Sequence, residues 1–219
     1  MQALVTGGTG RVGSAIAQRL RGEGHSVLAA GRTDADLRDA AAARGLVERA
    51  VGEMGGLDLV VHAAGEGFVP KPVDEVTEAD WDAAFGATAK GAFFVAQAAA
   101  SHLRESHGVI VMIEDVAGYR PWPSFAAHCA AKAAQSMLTR VLARALAPEV
   151  RVCGIAPGPV AVLPDQVERR AAETVLRRVG SPVDVAEAVL FLAGASFVTG
   201  ATLAVDGGAL LQTGRSSLA

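Results

Sequence analysis

Apolar positions along the chain alternate between two textures. Short, nearly continuous aliphatic runs are separated by alanine-rich stretches in which apolar residues recur every three or four positions. Continuous runs suit strands buried on both faces, and the second pattern suits amphipathic helices. The runs predict strands at Gln2–Thr6, Ser26–Ala30, Leu57–His62, Val109–Ile113, Val150–Ala156 and Thr202–Val205. The intervening stretches predict helices over about Gly10–Arg21, Leu37–Met54, Glu78–Leu103, Phe125–Leu146 and Val183–Leu192. Such alternation reads as an α/β chain, a doubly wound parallel sheet with helices on both faces. In "TEADW", Thr77 is placed to cap a helix with Asp80 three residues on, where the helix dipole favours acidic residues. Between Ala30 and Asp36 stands only "GRTDA", too short for a crossover helix. Either a helix is missing there or one strand is vestigial. The tail "QTGRSSLA" is polar and expected to fray.

With 219 residues, 51% of them hydrophobic, the chain can bury one sizeable core, so residues 1–219 are expected to form a single domain. A formal net charge of -3 offers no basic field for nucleic acid or an anionic membrane, which leaves a small molecule as the expected partner. Cys129 and Cys153 lie in apolar surroundings without metal-ligand spacing and read as reduced core residues. His102 and His107, five apart, have poor ligand geometry, and no metal is expected. The start "MQALVTGG" lacks a signal peptide's basic and apolar regions, and no apolar run reaches membrane-spanning length. A cytoplasmic protein is expected.

The strongest chemical signal is "LVTGGTGRVGSAIAQRL", where Gly7, Gly8, Gly10 and Gly13 stand between a strand and an amphipathic helix. Glycines there permit a tight turn and close backbone approach, and the helix N-terminus offers N–H groups to a phosphate. Gly7, Thr9, Gly10, Arg11, Val12 and Gly13 are therefore candidate dinucleotide contacts. The end of the second strand meets the adenosine ribose in such sites, and an acidic residue there favours NAD. Here Arg32 and Thr33 occupy it, with Arg11 as a second cation, which favours NADP(H) over NAD(H) despite Asp34 and Asp36.

Taken in order, "TGGTGRVG", "LDLVVHAAG", "AAKAA", "IAPGPV" and "VTGATLAVDGG" make the whole chain resemble the short-chain dehydrogenase/reductase family. The resemblance implies a Rossmann-type sheet, NAD(P)(H), hydride transfer and a homo-oligomer, tetramer or dimer. It further implies that Asp36 and Leu37 of "DLRD", Ala63, Ala64 and Gly65 of "HAAG", and Pro157, Gly158 and Val160 lie along the cofactor. The helix usual between the second and third strands is then missing, making a compact member. Family catalysis uses Tyr-x-x-x-Lys, a Ser thirteen residues before that Tyr, and an Asn on the preceding long helix. Lys132 matches the lysine, and the tyrosine position falls on His128, the serine position on Asp115 and the asparagine position on Thr88. Arg11 in the turn and an Asp before the catalytic position are similar to the pteridine reductase branch, which implies a small carbonyl or an imine such as a dihydropteridine as substrate.

Lys132, one helical turn after residue 128, shares its helix face. In the family that lysine binds the nicotinamide ribose. An Asp115/His128 pair could deliver the proton that carbonyl reduction requires, from the imidazolium or from a protonated Asp115. Against this stands a bland reading, in which His128 fills the tyrosine's space in a cofactor site that has lost turnover. Asp115 could also simply cap its loop. The sole tyrosine, Tyr119, reads as a loop aromatic. The expected function is an NADP(H)-dependent oxidoreductase, the alternative a dinucleotide-binding protein without turnover.

Overall fold

In the computed structural model, which describes residues 1–66 and 68–212, the chain forms one six-stranded, all-parallel sheet. Its strands are β1 (Gln2–Thr6), β2 (Ser26–Ala30), β3 (Leu59–His62), β4 (Val109–Ile113), β5 (Arg151–Pro157) and β6 (Thr202–Val205). The helices are α1 (Arg11–Gly22), α2 (Ala40–Met54), α3 (Glu78–Phe85), α4 (Gly91–Ser106), α5 (Ala126–Ala145), α6 (Val167–Ala172) and α7 (Pro182–Gly194). Strand order is β2-β1-β3-β4-β5-β6, so the chain reverses its direction of travel across the sheet between β1 and β3. Ligands of open α/β sheets bind at such a reversal, beyond the carboxyl ends of the strands.

Strand alternation divides the core. Leu4, Val60, Ile110, Met112 and Val152 face α2, α4 and α5, packing on Val47, Leu103 and Leu142. Their neighbours Val5, Val61, Val111, Cys153 and Ile155 face α1 and α7, packing on Ile16, Leu20, Val185 and Val189. Both faces are therefore dry, which explains why the strands read as continuous apolar runs.

Most boundaries fall within two or three residues of the expected ones; the exceptions have identifiable causes. Residues 31–39 hold neither helix nor strand, and β2 is the sheet edge, so the crossover from β2 to β3 is made by α2 alone, reached through an irregular segment. The second helix starts at Ala40 rather than Leu37 because the Asp39 carboxylate caps it, accepting from the Ala41 N–H at 2.8 Å. Leu37 instead enters the core. The long helix expected over Glu78–Leu103 is divided by a widened, π-helical turn at Gly86–Lys90. There the His62 ring bonds the Ala87 carbonyl, an intrusion of the kind that widens a helix. Residues Leu37 and Arg38 press on the same turn: a Cβ at Gly91 would stand 3.0 Å from Leu37 Cβ, and one at Gly86 2.7 Å from Arg38 Cγ. The short helix α6, between β5 and α7, carried no clear periodicity.

Thr77 and Asp80 form the expected reciprocal cap of α3. Of the tail, Gln212 is described and 213–219 lie outside the described residues. Among the described residues no helix is long and apolar enough to cross a membrane. Thr77→Ala is expected to cost about 1 kcal/mol of stability through loss of the cap, read as a lower midpoint in urea unfolding.

Candidate active site

The glycine turn leaves β1 at the sheet's reversal and packs against the end of β3. Gly7 has φ +65°, and a Cβ there would stand 2.5 Å from the Ala63 carbonyl oxygen. A Cβ at Gly13 would stand 2.2 Å from the Gly7 carbonyl, so α1 can start this close to the turn only with glycine. The N-terminus of α1 has no side-chain cap and no acidic residue in its first turn, and Thr9, Gly10 and Arg11 are exposed. Its free N–H groups face outward with a positive dipole end, which suits a phosphate group. Val12 is half-buried beside them.

The other expected cofactor residues stand at or after the ends of β2, β3 and β5. Ala63, Ala64 and Gly65 continue β3; Gly158 continues β5, donating its N–H to the Val205 carbonyl at 3.0 Å. Pro157 pairs with Val205 across the sheet, and Val160 forms a bridge to Gly180. Arg11 reaches across to donate to the Ala161 carbonyl, so its guanidinium ties the turn to the segment after β5. Arg32 is exposed beside exposed Thr33 and pairs with Glu66, which directly follows the "HAAG" segment. Asp36 is engaged by the Arg38 guanidinium, which with the Arg38 backbone N–H holds its carboxyl well below the usual range. Leu37 lies beneath the surface, 7% exposed.

The catalytic candidates meet across the ends of β4 and α5. His128 Nε2 stands 3.3 Å from Asp115 Oδ2, while Asp115 Oδ1 accepts the Ala117 N–H at 2.8 Å. Asp115 therefore both caps its loop and faces the histidine. His128 is 6% exposed, and its Nδ1 is buried without a partner among the described residues. One turn on, the Lys132 ammonium donates to the Ile113 carbonyl at 2.9 Å and to Gln135 Oε1 at 3.0 Å. Its burial pushes the lysine below its ordinary pKa, opposed by the charges of Asp115 and Glu114. Thr88 Oγ1, on the widened turn, is buried with no partner among the described residues. A Cβ at Gly65 would stand 3.5 Å from Thr88 Oγ1 and 3.8 Å from Lys132 Nζ, so these groups converge where β3 ends. An uncapped helix N-terminus after β1, a buried cation at the end of β4 and an unpartnered hydroxyl near the end of β3 are groups of the kind that suit a dinucleotide.

Against known proteins, a family model described as Enoyl-(Acyl carrier protein) reductase matches residues 17–209. The 4-formylbenzenesulfonate dehydrogenase of Comamonas testosteroni is 35% identical, the match covering 94% of this chain and 96% of that one. A protein of Arabidopsis thaliana named short-chain dehydrogenase/reductase is 32% identical over 94% and 93% of the two chains. The structure of 3-ketoacyl-(acyl-carrier-protein) reductase from Brucella melitensis, complexed with NADH, superposes with a TM-score of 0.89 at 27% identity, covering 94% and 97%. A blue fluorescent protein from a metagenomic library, in complex with NADPH, gives 0.85 at 29% identity, covering 94% and 96%. The chain belongs to the short-chain dehydrogenase/reductase family. It is an oxidoreductase of that family.

In this short-chain dehydrogenase/reductase two acids escaped the sequence reading. Glu66 was passed over although it directly follows the "HAAG" motif. Glu114, 2% exposed, accepts from Thr139, Thr202 and Tyr119 at 2.7 to 3.1 Å. A charged residue ending the apolar run "VIVMIE" was the available signal. Tyr119 is thus more than a loop aromatic: its hydroxyl anchors the loop to Glu114 and Ser136, and burial pushes its pKa up. Cys129 and Cys153 are free thiols, and the described residues hold no group of three metal-ligating side chains. His102 lies near Glu48 instead.

His62, fully buried, bonds Thr6 Oγ1 and the Ala87 carbonyl, and burial pushes its pKa down to about 4. An unfolded chain protonates the same imidazole near pH 6.5. Between those values the unfolded state binds the extra proton, so stability is intact above about pH 6.5 and falls as pH drops toward 4, by about 3 kcal/mol in total. Urea unfolding from pH 7 to 4.5 should show this slope in the parent protein and a shallower one in His62→Asn.

Proposed function

We propose that the protein is an NADP(H)-dependent reductase of a small carbonyl or imine, with His128 as proton donor in place of the family's tyrosine. The observation that carries the reading is the contact of buried His128 with half-buried Asp115, with Lys132 one helical turn further along α5. Asp115 accepts from or ion-pairs with Nε2 and fixes the ring; Nδ1 is buried and without a partner among the described residues, so it meets a substrate oxygen or nitrogen once the side chains around it move aside. The dinucleotide, when bound, supplies the hydride that the substrate carbon accepts. His128 gives the substrate heteroatom its proton and regains one from solvent, so each turnover adds two hydrogens across the double bond. Lys132 and the hydroxyl of Thr88 hold the ribose end of the cofactor, and the N–H groups of α1 hold its phosphates.

Preference for NADP(H) rests on Arg32, with Glu66 as a competitor for the 2′-phosphate. The relatives differ in the substrates for which they are named, so they do not select among carbonyls. The imine reading drew on Arg11, whose guanidinium here bonds the Ala161 carbonyl. The same proposal makes the protein a cytoplasmic homo-oligomer, a tetramer or dimer; exposed Met137 and Val141 on α5 and Phe191 on α7 support such contacts.

His128→Phe is expected to lower NADPH-dependent turnover at least 100-fold, read at 340 nm against a carbonyl panel, while the NADPH dissociation constant stays within about two-fold. Unchanged turnover would remove His128 from catalysis, and cofactor binding without turnover of any carbonyl by the parent protein would favour a binding role alone. Arg32→Ala should weaken NADPH by about 10- to 100-fold and leave NADH unchanged, the loss of a charge-assisted contact. Glu66→Gln should tighten NADPH. An equal loss for both cofactors would count against the 2′-phosphate contact.

A further inference from the structure

Around His128 stands a row of aromatic rings that neither the sheet nor the dinucleotide crevice explains. The Phe68 ring meets the His128 ring edge-on, with centroids 5.1 Å apart at 78°. It stacks on Phe125 at 4.7 Å and 25°, and Trp122 stands edge-on to both at 6.1 and 5.8 Å. These rings come from the segments after β3 and β4, so the fold has gathered them at one end of the sheet. Phe68 nevertheless remains 52% exposed. Beside it a hollow of about 230 Å³ opens between His128, Phe125, Val69, Val76 and Ala83. An aromatic surface of this kind, left open at a catalytic candidate, marks a place for a ring to stack.

The other end of the row carries a charge. Arg170 of α6 holds its guanidinium carbon 5.7 Å from the Trp122 ring centroid, a cation–π arrangement. Glu173 takes one of its nitrogens, Nη1, at 2.7 Å and is its only hydrogen-bond acceptor among the described residues. A guanidinium has five donors, so an edge remains for a carboxylate or sulfonate. Lys71, the cation that lines the hollow, is bonded to Asp80, which also serves the α3 cap, whereas Arg170 stands beyond Trp122. Glu66 at the hollow's rim is paired with Arg32. The Arg170 edge is thus the best placed positive group for an anion on a ring held by Phe68 and Trp122.

We propose that the substrate is a six-membered-ring carbonyl compound bearing a carboxylate or sulfonate away from the reacting carbon. The ring packs on Phe68 and Trp122, the carbonyl oxygen meets His128, and the anion meets Arg170, which is the specificity-determining residue. This rests on the reductase reading above. A flexible acyl chain would gain less from flat aromatic faces, and an uncharged ring would make no use of the guanidinium edge that Glu173 leaves open.

The test uses 4-formylbenzoate, its methyl ester and an acetoacetyl thioester as substrates with NADPH, beside calorimetric titration of 4-formylbenzoate into NADP⁺-saturated protein. The acid is expected to exceed its ester at least 10-fold in kcat/KM, through KM. Arg170→Ala should erase that ratio by raising KM for the acid 10- to 100-fold, with the ester, the NADPH affinity and the melting temperature unchanged. Arg170→Lys should restore part of it, which a purely structural role for Arg170 would not do. Turnover of the thioester with no preference for the acid over its ester would overturn this inference and leave the reductase reading standing. Binding of the acid that depends on Arg170, without turnover of any carbonyl, would overturn the reductase reading and keep the ring-acid site. Failure of the acid to bind would overturn the inference.

Discussion

The ammonium of Lys132, 7% exposed, has to find acceptors inside the protein or give up its proton. It finds the carbonyl of Ile113, the last residue of β4, and the amide oxygen of Gln135 on its own helix. The bond to Ile113 pins α5 to the end of the central sheet at one register, and the bond to Gln135 holds the ammonium in place along the helix. The same register brings His128, one turn earlier, against Asp115, which starts the loop that β4 feeds. It also sets Gly118 so close to α5 that a Cβ there would stand 3.0 Å from the Lys132 carbonyl carbon. Satisfying one buried charge therefore fixes both the position of the Asp115–His128 pair and the path of the loop beside it.

The loop is held from its other side by a second buried charge. Glu114 is adjacent to Asp115 and turns the opposite way, into hydroxyls of α5, β6 and the loop itself. Gly154 on β5 makes room for it, since a Cβ there would stand 2.1 Å from Glu114 Oε1. A carboxylate this buried stays favourable only while its acceptor capacity is filled. The alternation of a strand end thus sends two neighbouring acids to different partners, Glu114 to buried hydroxyls and Asp115 to the His128 ring.

The cofactor side follows from topology. Reversal of strand order between β1 and β3 brings the glycine turn and the "HAAG" segment together beyond the carboxyl ends of the strands. With β2 at the edge and no regular element in residues 31–39, the Arg32 region is open to solvent, and the charge of Glu66 can reach it from the neighbouring segment.

Strand and helix order, the dry two-sided sheet, the glycine turn, the Thr77 cap and the position of His128 relative to Lys132 were all legible in the sequence. Each is a local property, written in hydrophobic period, in residues that tolerate particular backbone angles, or in a spacing of one helical turn. The widened turn at Gly86–Lys90 was not legible, since the His62 ring that engages its carbonyl lies on a different strand. Nor were the Arg32–Glu66 pair, the Glu114 cage or the aromatic row between His128 and Arg170. These join residues from separate segments, and which segments meet is decided by sheet order and helix register, quantities that no local pattern encodes. The sequence alone determined that a dinucleotide fold forms and which residues stand at its centre. Tertiary packing decided what those residues face, because a side chain's chemistry depends on the neighbours that the fold delivers to it.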